Sequence, residues 1–407
     1  MKIGVWLNEN WKPETGGSYS YYDRLIHGFD TYNFDDKIEI VFVKEGDSPT
    51  SLNRPCISLD NTNHTKVSFV EKILIKIPLI RDHFLHRISE RQKRDRQNLY
   101  LQTLKNAGVK LLYYPIQHTC IHSLLSFPFI ATNWDLGHRS TWTFPEVASE
   151  SNFNHREWFY NNVLPRALMV VCESEAGRDE LIRYTHLNPD RLKVSRIFSG
   201  EVSSVNVQEQ KQCEILDSLK LKRHGFFYYP AQFWAHKNHY TLLLAFSRFL
   251  YDHTDCRLVF TGSDQGNEGY IKSVCSDLGI GDKVVFAGFV STEVVSTLYH
   301  NAIALVMPTL MGPTNMPLLE AMELGCPVIC SDFNGHREEL VDAALYVNPL
   351  DSQNICDAMV KVFNNRDKYT RLIMAHNSEC LFKFDLFLNS INKIFLDAVH
   401  LRNFWDM

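Results

Sequence analysis

The sequence predicts an α/β protein made of two doubly wound domains in tandem. Short apolar runs of β type alternate with amphipathic helical segments along nearly the whole chain, which is the pattern of parallel sheets covered by helices. With 407 residues, the chain is too long for one core and long enough for about two or three domains. A polar stretch without a strand-like run, residues 201–220, separates two sets of strands.

The predicted strands fall into two sets of similar size. In the first half they cover residues 2–7, 38–43, 109–114, 128–132, 167–172 and 192–197. In the second half they cover residues 226–230, 257–261, 283–287, 302–307, 326–330 and 343–347. We therefore predict domains at residues 1–200 and 221–375, joined by a linker at 201–220. Residues 376–407 show only helical patterns, and we expect this tail to cross back onto the first domain.

Composition narrows the class of protein. The net charge of -5 gives no general attraction to nucleic acid. The 10 cysteines are scattered without a C-x-x-C pair, as is typical of a reducing cytoplasm. The start of the chain does not resemble a signal peptide, and no apolar run reaches the roughly 20 residues of a spanning helix. We expect a cytoplasmic protein that does not bind nucleic acid.

Facing doubly wound sheets bind ligands at the carboxyl ends of their strands, so candidate site residues should follow strands. Gly16 and Gly17 follow the first strand and precede a helical run. They allow an anion to approach the backbone, although a plain strand-to-helix turn gives the same pattern. Asp135 and His138 follow the fourth strand. Such a histidine can donate to a sugar hydroxyl or move a proton, with the aspartate orienting it; a loop histidine bonded to backbone is the alternative.

Lys237 follows the first strand of the second domain and precedes a helix. A lysine there opposes the helix dipole, which favours an anion such as a diphosphate as its partner, against the alternative of a solvated surface lysine. His236 and His239 flank it and would add positive charge only when protonated.

The most informative loop lies between the strand at 302–307 and a helix that we expect to begin at Pro317 and to end before Gly325. Gly312 allows close approach of a ligand, and the first amides of the helix point into the cleft. Glu320 lies one turn into this helix, where a carboxylate can accept both hydroxyls of a ribose. An acid favoured by the helix dipole is the alternative for Glu320.

In this order, these loops resemble those of the retaining glycosyltransferases of family 4, which have the GT-B fold. The resemblance covers nearly the whole chain and is most specific at residues 226–349. It implies transfer of a sugar from a nucleotide-diphosphate sugar to a glycan or lipid-linked glycan, in the synthesis of a bacterial polysaccharide such as O antigen or capsule.

The resemblance also assigns roles to residues. It implies that His138 contacts the donor sugar, that Lys237 binds the diphosphate and that Glu320 holds the ribose. Asp135, His138 and Lys237 are the predicted catalytic residues. The base is expected near Gly288, Phe289, Val290 and Leu298. The other implied donor contacts are Gly16, Gly17, Gln232, Gly312, Thr314, Asn315, Met316, Pro317 and Leu318.

Two positions depart from the family pattern. Gly312 stands where the family has the first glutamate of its E-x7-E element, and Gln232 stands where it has a basic residue. The site therefore lacks one carboxylate toward the donor sugar and one positive charge toward the phosphates. The sequence has no D-x-D in a suitable loop, so we expect neither a metal nor another cofactor.

Two other functions fit the same architecture. A sugar-nucleotide epimerase would need further acid and base carboxylates near the sugar, and Gly312 argues against it. A non-catalytic two-domain protein that closes on a small ligand would typically be exported.

The leaving diphosphate itself is expected to take the acceptor proton in a transfer, since no carboxylate is evident as a nucleophile.

A basic stretch in the first domain bears on the acceptor. Residues 72–96 are rich in lysine and arginine, with apolar Ile80, Phe84 and Ile88 at helical spacing. A helix of this kind is suited to an anionic membrane surface carrying a lipid-linked glycan, and an ordinary surface helix is the alternative.

Overall fold

The computed structural model describes residues 1–8, 17–46, 51–59, 81–116, 121 and 123–405. Within these ranges the chain forms two parallel sheets, each covered by helices, with one cleft between them. The predicted Gly16 and the first part of the basic stretch, residues 72–80, lie outside the described residues.

The first domain contains a sheet in the order β3-β2-β1-β4-β5-β6-β7. Its strands are β1 (Lys2–Trp6), β2 (Glu39–Glu45), β3 (Cys56–Leu59), β4 (Val109–Tyr114), β5 (Phe129–Asn133), β6 (Met169–Cys172) and β7 (Leu192–Val194). Its helices are α1 (Gly17–Thr31), α2 (Arg81–Asn106), α3 (Gly137–Ser140), α4 (Pro145–Ala148), α5 (Glu150–Trp158) and α6 (Glu175–Tyr184).

The second domain contains a sheet in the order β10-β9-β8-β11-β12-β13. Its strands are β8 (Phe226–Pro230), β9 (Arg257–Thr261), β10 (Val284–Phe286), β11 (Leu305–Met307), β12 (Val328–Ser331) and β13 (Leu345–Val347). The helices that follow the first domain are α7 (Glu209–Ser218), α8 (His239–Phe249), α9 (Glu268–Asp277), α10 (Thr292–Asn301), α11 (Met316–Glu323), α12 (Asn334–Leu340), α13 (Ser352–Asn364), α14 (Arg366–Glu379) and α15 (Phe384–Arg402).

Every predicted strand is present within a few residues of its expected bounds. The strand β3, at Cys56–Leu59, was not predicted; it is short, and only Leu59 in it is buried. The predicted linker at 201–220 contains α7, whose Ile215 and Leu216 are buried. The segment therefore carries a packed helix in addition to connecting the domains.

Strand order changes direction between β1 and β4 in the first sheet and between β8 and β11 in the second. In a doubly wound sheet the helices leave such neighbouring strands toward opposite faces, which opens a crevice beyond their carboxyl ends. In the described residues the cleft is lined by the start of α1, by the loops after β5 and β6, and by the loops after β8 and β11. Topology thus gathers side chains that are far apart in sequence.

The helix α15 packs on the first sheet, although it follows the second domain in the chain. The ring of Phe395 lies 5.3 Å from that of Tyr113 and 6.1 Å from that of Phe29, and it is fully buried. The hydroxyl of Ser390 donates to the Val194 carbonyl at 3.1 Å. The core of the first domain therefore includes residues from the tail.

One carboxylate ties the two domains beside the cleft. Glu338 accepts the N–H groups of Glu175 and Ala176, at 3.1 and 3.0 Å, where α6 begins. It also accepts a hydrogen bond from Arg196 at 3.2 Å. A negative charge at a helix amino end is stabilised by the helix dipole, so this contact favours the closed approach of the domains. None of the helices in the described ranges combines the length and apolar character that crossing a bilayer requires.

Candidate active site

A cavity of about 550 Å³ lies between the two domains. Its first-domain wall is formed by Tyr21, Trp134, Asp135, Glu173, Ile197, Glu201 and Val202. Its second-domain wall comes from the loops after β8 and β11, the start of α11 and the segment after β10. The volume is in the range of small-molecule sites.

Most of the predicted donor-site residues meet in this cavity. Those that line it are Asp135, Gln232, Lys237, Phe289, Val290, Gly312, Thr314, Asn315, Met316, Pro317 and Glu320. Gly17 begins α1, and His138, Gly288, Leu298 and Leu318 do not line the cavity. Leu298 and Leu318 are fully buried in the domain core, and Thr292 and Val295 present the outer face of α10 to the cavity instead.

His138 lies behind the cavity wall. Its ring accepts a hydrogen bond from Arg156 at 3.2 Å, so the other ring nitrogen donates to Glu157 at 3.0 Å. Burial and the Arg156 charge lower the pKa of His138, which keeps the ring neutral. The predicted contact with a donor sugar stays a prediction that this arrangement does not support, since the side chain is buried away from the cavity.

Asp135, by contrast, faces the cavity. Its carboxylate accepts the Gly137 N–H at 2.8 Å and pairs with the guanidinium of Arg156. The pairing holds the carboxylate in place and offsets its charge. Arg156 therefore links Asp135 to His138 behind the wall.

Lys237 is positioned by the asparagine that follows it. Asn238 adopts a left-handed conformation with φ of 59° and caps α8 by accepting from Thr241. Its amide also donates to the carbonyls of Pro308 and Pro349, at 2.9 and 2.7 Å. This left-handed turn, which asparagine tolerates better than most residues, brings the end of the short turn Ala235–Lys237 against the loop after β11.

A directional chain of hydrogen bonds orients the Lys237 ammonium group. The Ser331 carbonyl can only accept, so His336 donates to it from Nδ1 at 2.8 Å. Its Nε2 then accepts from the Asn315 amide at 2.9 Å. The amide oxygen of Asn315 is left to face Lys237 Nζ at 3.4 Å. Burial lowers the pKa of His336 to about 4, so the ring stays neutral and the chain keeps its direction.

The loop after β11 is held close to α12. A side chain at Gly335 would place its Cβ 1.4 Å from the Pro313 carbonyl oxygen, so only glycine allows this approach. Gly312 has φ of 107°, and a Cβ there would lie 3.1 Å from the Asn315 amide nitrogen. At the position where the resemblance leads one to expect a glutamate, this chain therefore has a backbone conformation that side-chain-bearing residues rarely adopt.

The start of α11 offers a free amide to the cavity. The helix begins at Met316 rather than at the expected Pro317. Pro317 has no N–H, and the Leu318 N–H donates to the Asn315 carbonyl at 3.0 Å. Among the described residues, the Met316 N–H makes no hydrogen bond. This amide and Lys237 lie on the same wall, and together they suit an anion.

Glu320 faces the same cavity from the next turn of α11. One carboxylate oxygen accepts from the Tyr299 hydroxyl at 3.0 Å. Burial raises the pKa of Glu320 to about 7. The group is thus poised between its neutral and charged forms, and a ligand that donates hydrogen bonds would favour the carboxylate.

Several cavity residues were not predicted. Glu173 directly follows β6 and Trp134 directly follows β5, so the rule that selected Asp135 also applied to them. Tyr21 lies on α1, in the helical run that follows the first strand. His236 lines the cavity as a neighbour of Lys237 and pairs with Glu146 of the first domain. Burial lowers the pKa of His236, which fits the expectation that it adds little positive charge.

Comparison with known proteins relates this geometry to a family. Residues 214–378 match the family model described as "Glycosyl transferases group 1". The chain is 36% identical over 158 residues to an uncharacterized glycosyltransferase of Methanocaldococcus jannaschii, covering 38% of this chain and 37% of that protein. It is 29% identical over 206 residues to the O-antigen chain mannosyltransferase RfbU of Salmonella typhimurium, covering 51% of this chain and 54% of that protein. The matched segments thus span about a third to a half of these relatives.

A solved structure is similar over almost the full length. The protein Alr3699/HepE of Anabaena, crystallised with UDP and glucose, superimposes with a TM-score of 0.68 over 98% of this chain and 99% of its own, at 14% identity. At that identity the likeness concerns the fold alone. The predicted GT-B fold, with two doubly wound domains facing a cleft, is confirmed.

Replacing Gly312 by alanine tests the role of the loop conformation. We expect Gly312→Ala to lower the free energy of unfolding by about 1–2 kcal/mol, because its φ is unfavourable for an L-residue with a side chain. Urea denaturation followed by circular dichroism measures the change.

The matched control is Gly269→Ala, on α9, where an added Cβ meets no atom within 4 Å. There alanine should raise stability by about 0.5–1 kcal/mol, since it favours the helix over glycine. Equal effects of the two substitutions would contradict the proposed strain at Gly312.

Proposed function

We propose that this protein is a glycosyltransferase that moves a hexose, with retention, from a nucleotide-diphosphate sugar to a glycan or lipid-linked glycan. The observation that carries the proposal is the wall on which Lys237, the Met316 amide and Glu320 face one interdomain cavity. The match of residues 214–378 to a glycosyltransferase family supports it. The name of the Salmonella relative favours O antigen or a similar bacterial polysaccharide as the product.

The geometry suggests how a donor would lie. The diphosphate would bind between the Lys237 ammonium group and the amide of Met316, and the ribose would donate to Glu320. The base would then rest near Phe289 and Val290, and the Phe289 ring is half-exposed at the cavity edge. Gln232, in place of a basic residue, can accept or donate hydrogen bonds without adding charge.

The proposed chemistry needs only charge stabilisation and a proton acceptor. As the bond from the sugar to the diphosphate breaks, negative charge grows on the diphosphate, and Lys237 stabilises it there. The leaving diphosphate oxygen takes the proton of the acceptor hydroxyl, which attacks from the same face. Lys237 and the amide perform in this scheme the task that a metal ion performs elsewhere, so we propose a metal-independent transfer.

A transfer assay tests this function. We expect release of nucleoside diphosphate from a panel of nucleotide sugars to depend on a glycan acceptor and to persist in EDTA. The affinity for nucleoside diphosphate should be lower by about tenfold to a hundredfold in Lys237→Met and in Glu320→Gln, because each variant loses a charged hydrogen bond to the ligand. Calorimetry measures the affinity.

The matched control for Lys237→Met is Lys222→Met, on the exposed surface of the same domain. It should bind and turn over like the wild type. Product analysis separates the alternatives: an isomerised sugar would identify an epimerase, and tight binding without product would identify a binding protein. Unchanged nucleotide affinity in both site variants would refute the proposed site.

The affinity for nucleoside diphosphate should pass through a maximum with pH. Burial lowers the pKa of Lys237 to about 8 and raises that of Glu320 to about 7. Lysine is charged below its pKa and glutamate above it, so both carry charge between these two values. Affinity should fall above that interval as Lys237 loses its proton, and below it as Glu320 gains one.

Titration calorimetry across this range checks the expectation in three proteins. Lys237→Met should lose the alkaline fall and keep the acid one, and Glu320→Gln should do the reverse. If the affinity of Lys237→Met still fell at alkaline pH, the titrating group would be one other than Lys237.

We also propose that the protein acts in the cytoplasm, at the inner face of the membrane. The cysteines in the described ranges are all free thiols, which is usual in a reducing compartment. On α2, Ile88, Tyr100 and Leu104 are buried toward the domain. The exposed side of the helix carries basic residues, namely Arg81, Arg87, Lys93, Arg94 and Arg96.

Vesicle co-sedimentation tests the membrane contact. We expect binding to vesicles with about a third anionic lipid, none to neutral vesicles, and loss in high salt, because the attraction is electrostatic. The triple variant Arg87→Glu, Lys93→Glu, Arg94→Glu should not sediment. Binding that is independent of anionic lipid would contradict this role for α2.

A further inference from the structure

The first-domain wall of the cavity carries three polar atoms without partners. They are the hydroxyl of Tyr21, the indole nitrogen of Trp134 and one carboxyl oxygen of Glu173. Each atom is buried, and none has a hydrogen bond of normal length and angle within the described part of the chain, although Tyr21 and Glu173 lie close enough to interact weakly with each other. A buried polar group without a partner costs about 1–3 kcal/mol. Three such groups in one wall indicate that a ligand supplies the missing hydrogen bonds.

The fold brings these three groups together. Asn133 and Cys172 are paired in register on β5 and β6, so the residues that follow them, Trp134 and Glu173, leave the sheet side by side. The ring of Tyr21 meets that of Trp134 edge to face, with centroids 6.0 Å apart at 89°. Tyr21 also stacks on Phe198 at 4.7 Å. Aromatic packing therefore fixes the phenol and indole rings next to the carboxyl group.

The chemistry of the three groups selects an uncharged ligand. The indole nitrogen only donates, whereas a phenol hydroxyl donates and accepts. Burial raises the pKa of Glu173 to about 8, with the nearby Tyr21 hydroxyl opposing this rise and the Asp135 charge adding to it. At neutral pH its carboxyl group keeps its proton and can also donate and accept. Neighbouring Asp135 is already paired with Arg156, so it adds little net charge beside these three groups.

Hydroxyl groups on a ring fit this wall. Each hydroxyl both donates and accepts, as Tyr21 and protonated Glu173 do, and the aromatic faces match the apolar faces of a sugar. A phosphate has acceptors only and would leave the accepting capacity of the wall unused. The anion-binding groups, Lys237 and the Met316 amide, stand on the other wall.

We propose that Tyr21, Trp134 and Glu173 form a subsite for the hydroxyl groups of a neutral sugar unit bound in the cleft. The proposal rests on the proposed function for the identity of the ligand as a sugar. Either the transferred sugar of the donor or the sugar of the acceptor has the required chemistry, and the two arms of the experiment distinguish them.

The experiment uses the full chain with Glu173→Met, Tyr21→Phe and Trp134→Phe. In the donor arm, calorimetry compares UDP with UDP-glucose and GDP with GDP-mannose. In the acceptor arm, methyl α-D-mannopyranoside is titrated by saturation-transfer NMR with nucleoside diphosphate present. In each variant, the affinity for one of the sugar probes should fall by about tenfold, whereas the affinity for nucleoside diphosphate should stay within about twofold of the wild type. Glu173→Gln keeps a donor and an acceptor and should stay within about threefold of the wild type.

The matched controls come from a second tyrosine–glutamate pair in the same domain. The buried Tyr100 donates to Glu45 at 2.7 Å, and neither residue lines the cavity. Tyr100→Phe and Glu45→Met should leave both sugar probes unaffected, and thermal unfolding of all variants shows which are folded. Sugar affinity unchanged in the folded subsite variants, or lowered as much in the controls, would overturn the proposal.

The same measurements separate the subsite from the proposed function. A wild-type protein that binds neither nucleoside diphosphate would refute the function. The sugar titration is then repeated without nucleotide, and it decides on the subsite independently: loss of sugar binding in Glu173→Met supports it, and binding equal to the wild type refutes it.

Discussion

The direction of one hydrogen-bond chain determines where positive charge lies in the cleft. A backbone carbonyl at Ser331 can only accept, and this fixes in turn the tautomer of His336, the orientation of the Asn315 amide and the oxygen that faces Lys237. Reversing any member would leave two donors or two acceptors opposed in a buried region. The ammonium group is therefore held by the core of its domain, and the loop after β11 cannot move independently of it.

The two walls of the cleft differ in electrostatic character, and the difference follows from the two sheets. The second domain presents an ammonium group and a helix start, whereas the first presents the carboxyl groups of Asp135, Glu173 and Glu201. Asp135 is paired with Arg156, and burial keeps Glu173 protonated. A ligand with one charged end and one neutral end would thus bind in a single orientation.

The sequence was sufficient for the fold class and for much of one wall, because parallel strands and the loops after them have strong local signals. The strand at 56–59 was not predicted, because its residues are only partly buried and its pairing is decided by the neighbouring strand. Whether the side chains of His138 and Leu298 face the cavity could not be read from the sequence, because position after a strand or on a helix does not tell which way a side chain points. Glu173 was missed for a related reason: an acid after a strand has no distinguishing sequence signal, and only burial shows its unusual state.

The packing of α15 on the first domain has a consequence for synthesis on the ribosome. Tyr32 and Asn389 are hydrogen-bonded although they lie 357 positions apart. At translation rates of about 5–20 residues per second, the first domain waits roughly 10 to 40 seconds for the helix that completes its core. During this interval the aromatic surface around Phe29 and Tyr113 lacks its cover. A nascent chain of this topology is therefore a natural client for chaperones until its final helix emerges.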